Sequence, residues 1–270
     1  MILEEIDSLL RKRLSPEEFK INNEFYGLQY GNKNADSVLK KIMLTMDLNL
    51  ESIHFAILKK INLIISLRSL INKPIDCFNK NLVNKLSLLS KYPLSIFVLN
   101  SSLIAVEGGI SDMIREILYL NLEKTFDITS ANGNIIPIGR ISSPKIYPNQ
   151  KGPLKLEDLL NRIKINFELD NVHFVGNLKK IIYKINIIGG IFADVKYLEE
   201  SINIGCDCFI SCDFNYDQAL YAREMDLCLI KIPHYSCDIK AMKRLCNILS
   251  LEFPNDDIFL YESENPINVY

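Results

Sequence analysis

Short apolar runs bounded by turn residues alternate along the chain with stretches of helical period, a pattern that predicts an α/β protein. The densest such stretch runs from Gly205 to Asp238. Cys206–Ser211 reads as a buried strand with Asp213 at its end, Asp217–Glu224 as a helix, and Leu227–Ile232 as a second buried strand stopped by Pro233. Two strands joined by a helix make a parallel pair, and ligands of open α/β sheets gather at the carboxyl ends of such strands. Asp213, Asp217, His234 and Asp238 all fall there, so this stretch is expected to supply half of any polar site.

The same reading extends to both termini. Residues 2–13 predict an amphipathic helix with Ile2, Ile6, Leu9 and Leu10 on one side. Ser15-Pro16-Glu17-Glu18 is a helix-start signature, with Ser15 as cap and Glu18 closing a capping box. Gly27 and Gly31 bracket a short extended piece. Residues 38–47 predict a strand ending at Asp47, followed by a helix over LESIHFAILKK and a strand over INLIIS. KINIIGGIFADVKYLEESINIGCDCFIS repeats that order of strand, helix and strand, which implies an internal pseudo-repeat and two similar α/β halves. Gly189-Gly190 lacks a full G-x-G-x-x-G and reads as a tight turn rather than a phosphate loop.

Residues 76–91 predict a helix, Leu94–Leu99 a strand, and Ser111 caps a further helix with Asp112 at its start. Residues 127–153, rich in Gly and Pro, predict an irregular junction, which sets the halves at 1–126 and 127–270. A helix over LKLEDLLNRIKINFEL and strands at VHFVG and IIYKINIIGG follow.

Composition narrows the function classes. The chain is 48% apolar, enough to bury a sizeable core, and no run approaches the ~18 uninterrupted apolar residues of a membrane span. A net charge of −2 gives no general affinity for nucleic acid or an anionic membrane. The N-terminus is acidic first and basic later, the wrong order for a secretory signal, so a cytoplasmic protein is expected. The odd count of seven cysteines fits reduced thiols. Cys206, Cys208 and Cys212, with Cys237 joining them in space, could form a thiolate site, but Cys206 and Cys208 lack the paired C-x-x-C spacing of a zinc site and read as small hydrophobes on a buried strand. His54 and His173 read as structural. Asp213 and Asp217 equally suit a cap and a solvated helix face, and Asp238 suits a first helical turn with no ligand at all.

Six stretches in order resemble the NGG-interacting factor 3 family, whose members are also called dinuclear metal-centre hexameric proteins or GTP cyclohydrolase 1 type 2 homologues. GLQYG at Gly27–Gly31 resembles the family's G-L-Q-V-G, and LIISLRSLINKP at Leu63–Pro74 its L-I-I-x-H-H-P-L-x-x-K-P. NSSLIAVEGGISD at Asn100–Asp112 resembles H-T-N-x-D-x-x-x-G-G-x-N-D, and IPIGRIS the short G-x-G-R segment. GCDCFISCDFNYDQALYA resembles G-A-D-x-x-x-T-G-D-x-x-x-H-x-A-x-x-A, and IPHYSCD resembles x-G-H-Y-x-x-E.

The resemblance implies two α/β halves with mixed sheets flanked by helices, a metal-site cleft between them, and a homohexamer built as a trimer of dimers. It implies two divalent ions held by His, His and Asp from the first half and His and Glu from the second. Here those first-half positions are Leu67, Arg68 and Ile104. The second half keeps His234 and has Asp238 in place of Glu; a further family His is Asp217, and the first His of the H-T-N motif is Asn100.

Leu and Ile offer no ligand atom, and Arg has no lone pair to give. Three expectations follow. The first is a scaffold or binding protein without the dinuclear centre, in which Arg68 replaces the metal electrostatically by forking onto nearby carboxylates. The second is a hydrolase of a nucleotide or phosphoester with one zinc, manganese or iron ion on His234, Asp238 and a third group, Asp217 or Asp213. The third is a metal-free binder of a nucleotide or other phosphorylated small molecule that uses Arg68.

Overall fold

The structure is a computed structural model and describes residues 3–21, 24–31, 39–130, 133–145, 152–190 and 193–268. In chain order its strands are β1 (Gly27–Tyr30), β2 (Lys41–Thr45), β3 (Leu63–Ser66), β4 (Ser95–Val98), β5 (Leu120–Thr129), β6 (Ile135–Pro144), β7 (His173–Val175), β8 (Ile185–Ile188), β9 (Cys208–Ser211), β10 (Cys228–Lys231) and β11 (Asp257–Tyr261). The helices are α1 (Leu3–Leu9), α2 (Leu50–Leu58), α3 (Lys80–Leu89), α4 (Ser102–Ala105), α5 (Ile110–Ile117), α6 (Leu156–Phe167), α7 (Val195–Asn203), α8 (Tyr216–Glu224) and α9 (His234–Glu252). They fall into two compact units, Met1–Leu103 with Asp238–Tyr270, and Ile104–Cys237.

The first unit is built on a sheet of order β1-β4-β3-β2-β11. Its strands are parallel except β1, which runs antiparallel to β4 at the edge. All of β3 and most of β2 are buried, as near-continuous apolar runs are when both faces of a parallel sheet are covered. Met43, Ile64, Ile96 and Val98 pack with Ile53 and Ala56 of α2 and Leu89 of α3. Each larger side chain of that set contributes roughly 1.5–3 kcal/mol by leaving water. A reciprocal cap fixes the start of α2, with Ser52 N donating to Asn49 Oδ1 at 2.7 Å and Asn49 N donating to Ser52 Oγ at 3.1 Å.

The second unit carries a sheet of order β5-β6-β8-β9-β10-β7, parallel across β8, β9 and β10 and antiparallel elsewhere. Both β2–α2–β3 and β8–α7–β9 are strand–helix–strand units with parallel strands, as the repeated pattern predicts. The pair β9 and β10 joined by α8 is parallel as well.

Five expectations are corrected. The first part of the expected irregular junction at 127–153 is regular: β5 and β6 form a long hairpin up to Pro144, with Ser130 N donating to Asn134 O at 2.9 Å, and residues 131–132 and 146–151 lie outside the described residues. Prolines hid β6, but Pro137 lies opposite the irregularity between Phe126 and Ile128, where a missing N–H is tolerated. The residues between Leu120 and Phe126 are all exposed, so β5 lacks the usual alternation. The boundary at 126/127 would cut β5, and β11 returns to the first sheet beside β2, so the division falls elsewhere. Ser15 caps no helix: residues 17–19 make one 3-10 turn, while its hydroxyl meets Ser102 Oγ at 2.5 Å and its carbonyl accepts from Tyr26 Oη. Ser111 is not the cap of α5, a position held by Gly109. The helix expected over 2–13 is α1 passing into a single π turn at Leu10–Leu14, and Ile2 lies outside the described residues.

Candidate functional site

Parallel neighbours bring their carboxyl ends side by side, and β2 and β3 do this for the residues just beyond them. Asp47 follows β2 and Arg68 follows β3. Arg68 Nη1 donates to Asp47 Oδ1 at 2.9 Å, and Nη2 donates to Asp238 Oδ2 of α9. Asp238 is the sheltered member, with its side chain 4% exposed against 38% for Asp47 and Arg68. Burial alone would favour a neutral Arg68; the charges of Asp238 and Asp47 outweigh it and raise its pKa above the ordinary arginine value. The guanidinium is therefore a permanent cation forked between two carboxylates.

The backbone around it is firmly placed. Arg68 N donates to Met46 O at 3.0 Å, and Ser66 Oγ donates to Arg68 O at 2.8 Å. Gln29 of β1 reaches the following segment, accepting from Leu70 N at 2.7 Å and donating to Ile71 O at 3.2 Å. Asn100 takes a left-handed φ of +48°, which asparagine tolerates, and donates to Phe25 O and Ser69 Oγ. Gln29 and Asn100, both inside recognisable motifs, thus hold the segment that carries Arg68.

These residues do not fit a dinuclear metal centre. Leu67 is 5% exposed and Ile104 9%, both apolar, and Arg68 is committed to two acids. Among the described residues, no three His, Cys, Asp or Glu side chains form a group able to hold a metal ion. His234 begins α9, half-buried. Asp213 is not a helix cap; its Oδ1 accepts from Lys231 Nζ at 2.5 Å and from Phe214 N. Burial would raise its pKa, but Lys231 and these bonds bring it below the ordinary carboxylate value. Asp217 is exposed in the first turn of α8, whose cap is Asn215 in a box with Gln218. Of the predicted site residues, Arg68 and Asp238 are brought together, and Asp213 is paired with Lys231. Asp47 was missed as a partner, although the strand ending in Asp47 was legible.

Cys206 and Cys208 are not set up as ligands or nucleophiles. Burial pushes the Cys206 thiol up to about 12 and raises Cys208 as well, and a metal ligand or nucleophile needs the thiolate. His54 is exposed within α2 and His173 exposed at the start of β7.

A second ion pair explains two more motifs without chemistry. Arg140 and Asp112 are each 3% exposed. Arg140 Nη2 donates to Asp112 Oδ2 at 2.8 Å and to the carbonyls of Ala105 and Val106, while Nη1 donates to Pro137 O. Burial would raise the Asp112 pKa; Arg140, Gly108 N and Arg115 overcome it and hold it below the ordinary value. Nearby, the Ser111 hydroxyl donates to Ile138 O at 2.7 Å and accepts from Gly189 N at 3.0 Å. A Cβ on Gly189 would stand 2.4 Å from Ile110 Cγ2, so this glycine permits close packing between β8 and α5.

The model of the family described as Duf34/NIF3 (NGG1p interacting factor 3) matches residues 1–266. A Streptococcus pneumoniae protein named GTP cyclohydrolase 1 type 2 homolog is 24% identical over 241 residues, covering 87% of this chain and 85% of its own. A Methanocaldococcus jannaschii protein of the same name is 23% identical over 240 residues, covering 87% and 90%. Among solved structures, Staphylococcus aureus protein SA1388 superposes with TM-score 0.79 at 21% identity, covering 100% of this chain and 99% of that one. Reduced HcgD from Methanocaldococcus jannaschii does so with TM-score 0.79 at 22% identity, covering 97% and 98%. A Bacillus cereus protein related to NIF3 gives TM-score 0.80 at 15% identity, covering 99% and 98%. At these identities the solved structures show a common fold.

Proposed function

The chain belongs to the Duf34/NIF3 family, and from that premise we propose that it is a divergent member lacking the dinuclear metal centre and acting as a non-catalytic scaffold or binding protein. The observation that carries this reading is the Arg68 guanidinium between Asp47 and Asp238. At ~4 Å, two unit charges of like sign repel by about 4 kcal/mol at an effective dielectric of ~20, and a divalent ion would feel twice that. Arg68 neutralises the acids that a cation would otherwise serve. The mononuclear hydrolase reading loses support because Asp238 and Asp213 are already bonded to cations. The name GTP cyclohydrolase 1 type 2 homolog describes relatives, and a shared fold does not carry a substrate across. The same reading takes the protein to be a cytoplasmic homohexamer, a trimer of dimers, with no membrane or nucleic-acid partner.

Elemental analysis of untagged protein purified without chelator tests it. Expected is a metal content near zero per chain, unchanged after soaking in zinc, manganese or iron. About two ions per chain would overturn the reading. About one ion per chain, lost in His234→Ala, would favour the hydrolase with a reduced site.

A further inference from the structure

The segment held by Gln29 and Asn100 runs on into an open groove of about 400 Å³. The groove is lined by Leu70 to Ile75 together with Asn79, the cap of α3, and Asn81, Leu82 and Lys85 of that helix. Its volume is that of a small-molecule site. Its charge is one-sided: Lys73 and Lys85 line it and no acid does, in a chain of net charge −2. Neither lysine is in a salt bridge with a described residue.

Lys85 is half-buried, and burial lowers its pKa despite the field of Asp47. Asp47 is bonded to Arg68, so its charge is largely spoken for. A lysine held in this way gains from an anion that arrives beside it. The amides of Asn72 and Asn81 add hydrogen-bonding groups, while Asn79 Oδ1 already accepts from Leu82 N at 2.9 Å, and Leu70, Ile71, Pro74, Ile75 and Leu82 offer an apolar wall. Two cations without acids suit a dianionic group, and the amides and apolar wall suit a polar body with one flat or apolar face.

We propose that this groove binds a small phosphate monoester, with Lys73 and Lys85 on the phosphate. The inference deepens the binding-protein reading and rests on it only in requiring no metal. The two are separable, because metal content and ligand binding are measured independently.

Titration calorimetry in the presence of EDTA, with ribose 5-phosphate as probe and ribose as control, tests the proposal on the intact protein. Expected is saturable binding of ribose 5-phosphate and none of ribose. Affinity should fall at least ~10-fold in Lys73→Gln/Lys85→Gln, as charge-assisted contacts to phosphate require. Lys73→Gln, which alters an exposed side chain, keeps the test valid if the double variant folds poorly, and should itself weaken binding. Lys164→Gln, at an exposed position of α6, should leave binding unchanged. Absence of binding, binding only after metal is added, affinity unchanged by the groove substitutions, or an equal loss in Lys164→Gln would each overturn it.

Discussion

At the residue scale, one arginine and one buried pair carry most of the argument. Arg68→Ala removes the cation between Asp47 and Asp238 and leaves the sheltered Asp238 short of its guanidinium. Breaking a fully buried pair costs ~3–5 kcal/mol, and the partial exposure of Arg68 brings the expected loss to about 1–3 kcal/mol. Thermal melting between about pH 6 and 8 checks this; an unchanged midpoint would refute the role of Arg68 as a substitute cation. Asp112 has no such discount, with its side chain and that of Arg140 each 4% exposed. Its folded pKa lies below the unfolded value, so its stabilisation is present above the ordinary carboxylate pKa of ~3.9 and is lost as pH falls through the folded pKa. Asp112→Asn is expected to lose about 3 kcal/mol near neutral pH. Urea unfolding at descending pH should show the gap to wild type narrowing below about pH 4. Parallel curves would count against the ion pair as the source.

At the element scale, the parallel strand–helix–strand units were legible because both periods were clean. Met43, Ile64 and their neighbours form unbroken apolar runs, and the helix between them repeats with helical spacing. The β5–β6 hairpin was not legible. The exposed residues of β5 carry no alternation, and Pro137 and Pro144 in β6 read locally as breakers. Only pairing with β5 and β8 makes β6 a strand. Ser111 misled for a related reason: its hydroxyl serves Ile138 and Gly189 on other elements rather than its own helix. Gly189→Ala tests that packing. Its Cβ would meet Ile110 and Ser111 N, so about 1–3 kcal/mol of destabilisation is expected by chemical denaturation, with secondary structure retained. A neutral result would mean that β8 and α5 can separate at little cost.

At the scale of the whole molecule, the sequence by itself determined the fold class, the order of most elements and the family, through motifs that stand in the right order over nearly the whole chain. It also determined that Leu67, Arg68 and Ile104 offer a divalent ion no ligand atom, because ligand chemistry is a property of residue type. Tertiary structure decided the rest. It joined the C-terminal strand β11 to β2, so the first unit is discontinuous in sequence, and it set the division at Leu103 and Asp238. It chose Asp47 and Asp238 as the partners of Arg68, and gave Lys231 to Asp213. The physical reason is the same in each case. Periodicity and residue chemistry act over a few neighbouring positions, whereas strand pairing and ion pairing join groups far apart along the chain, and only the folded backbone sets those distances.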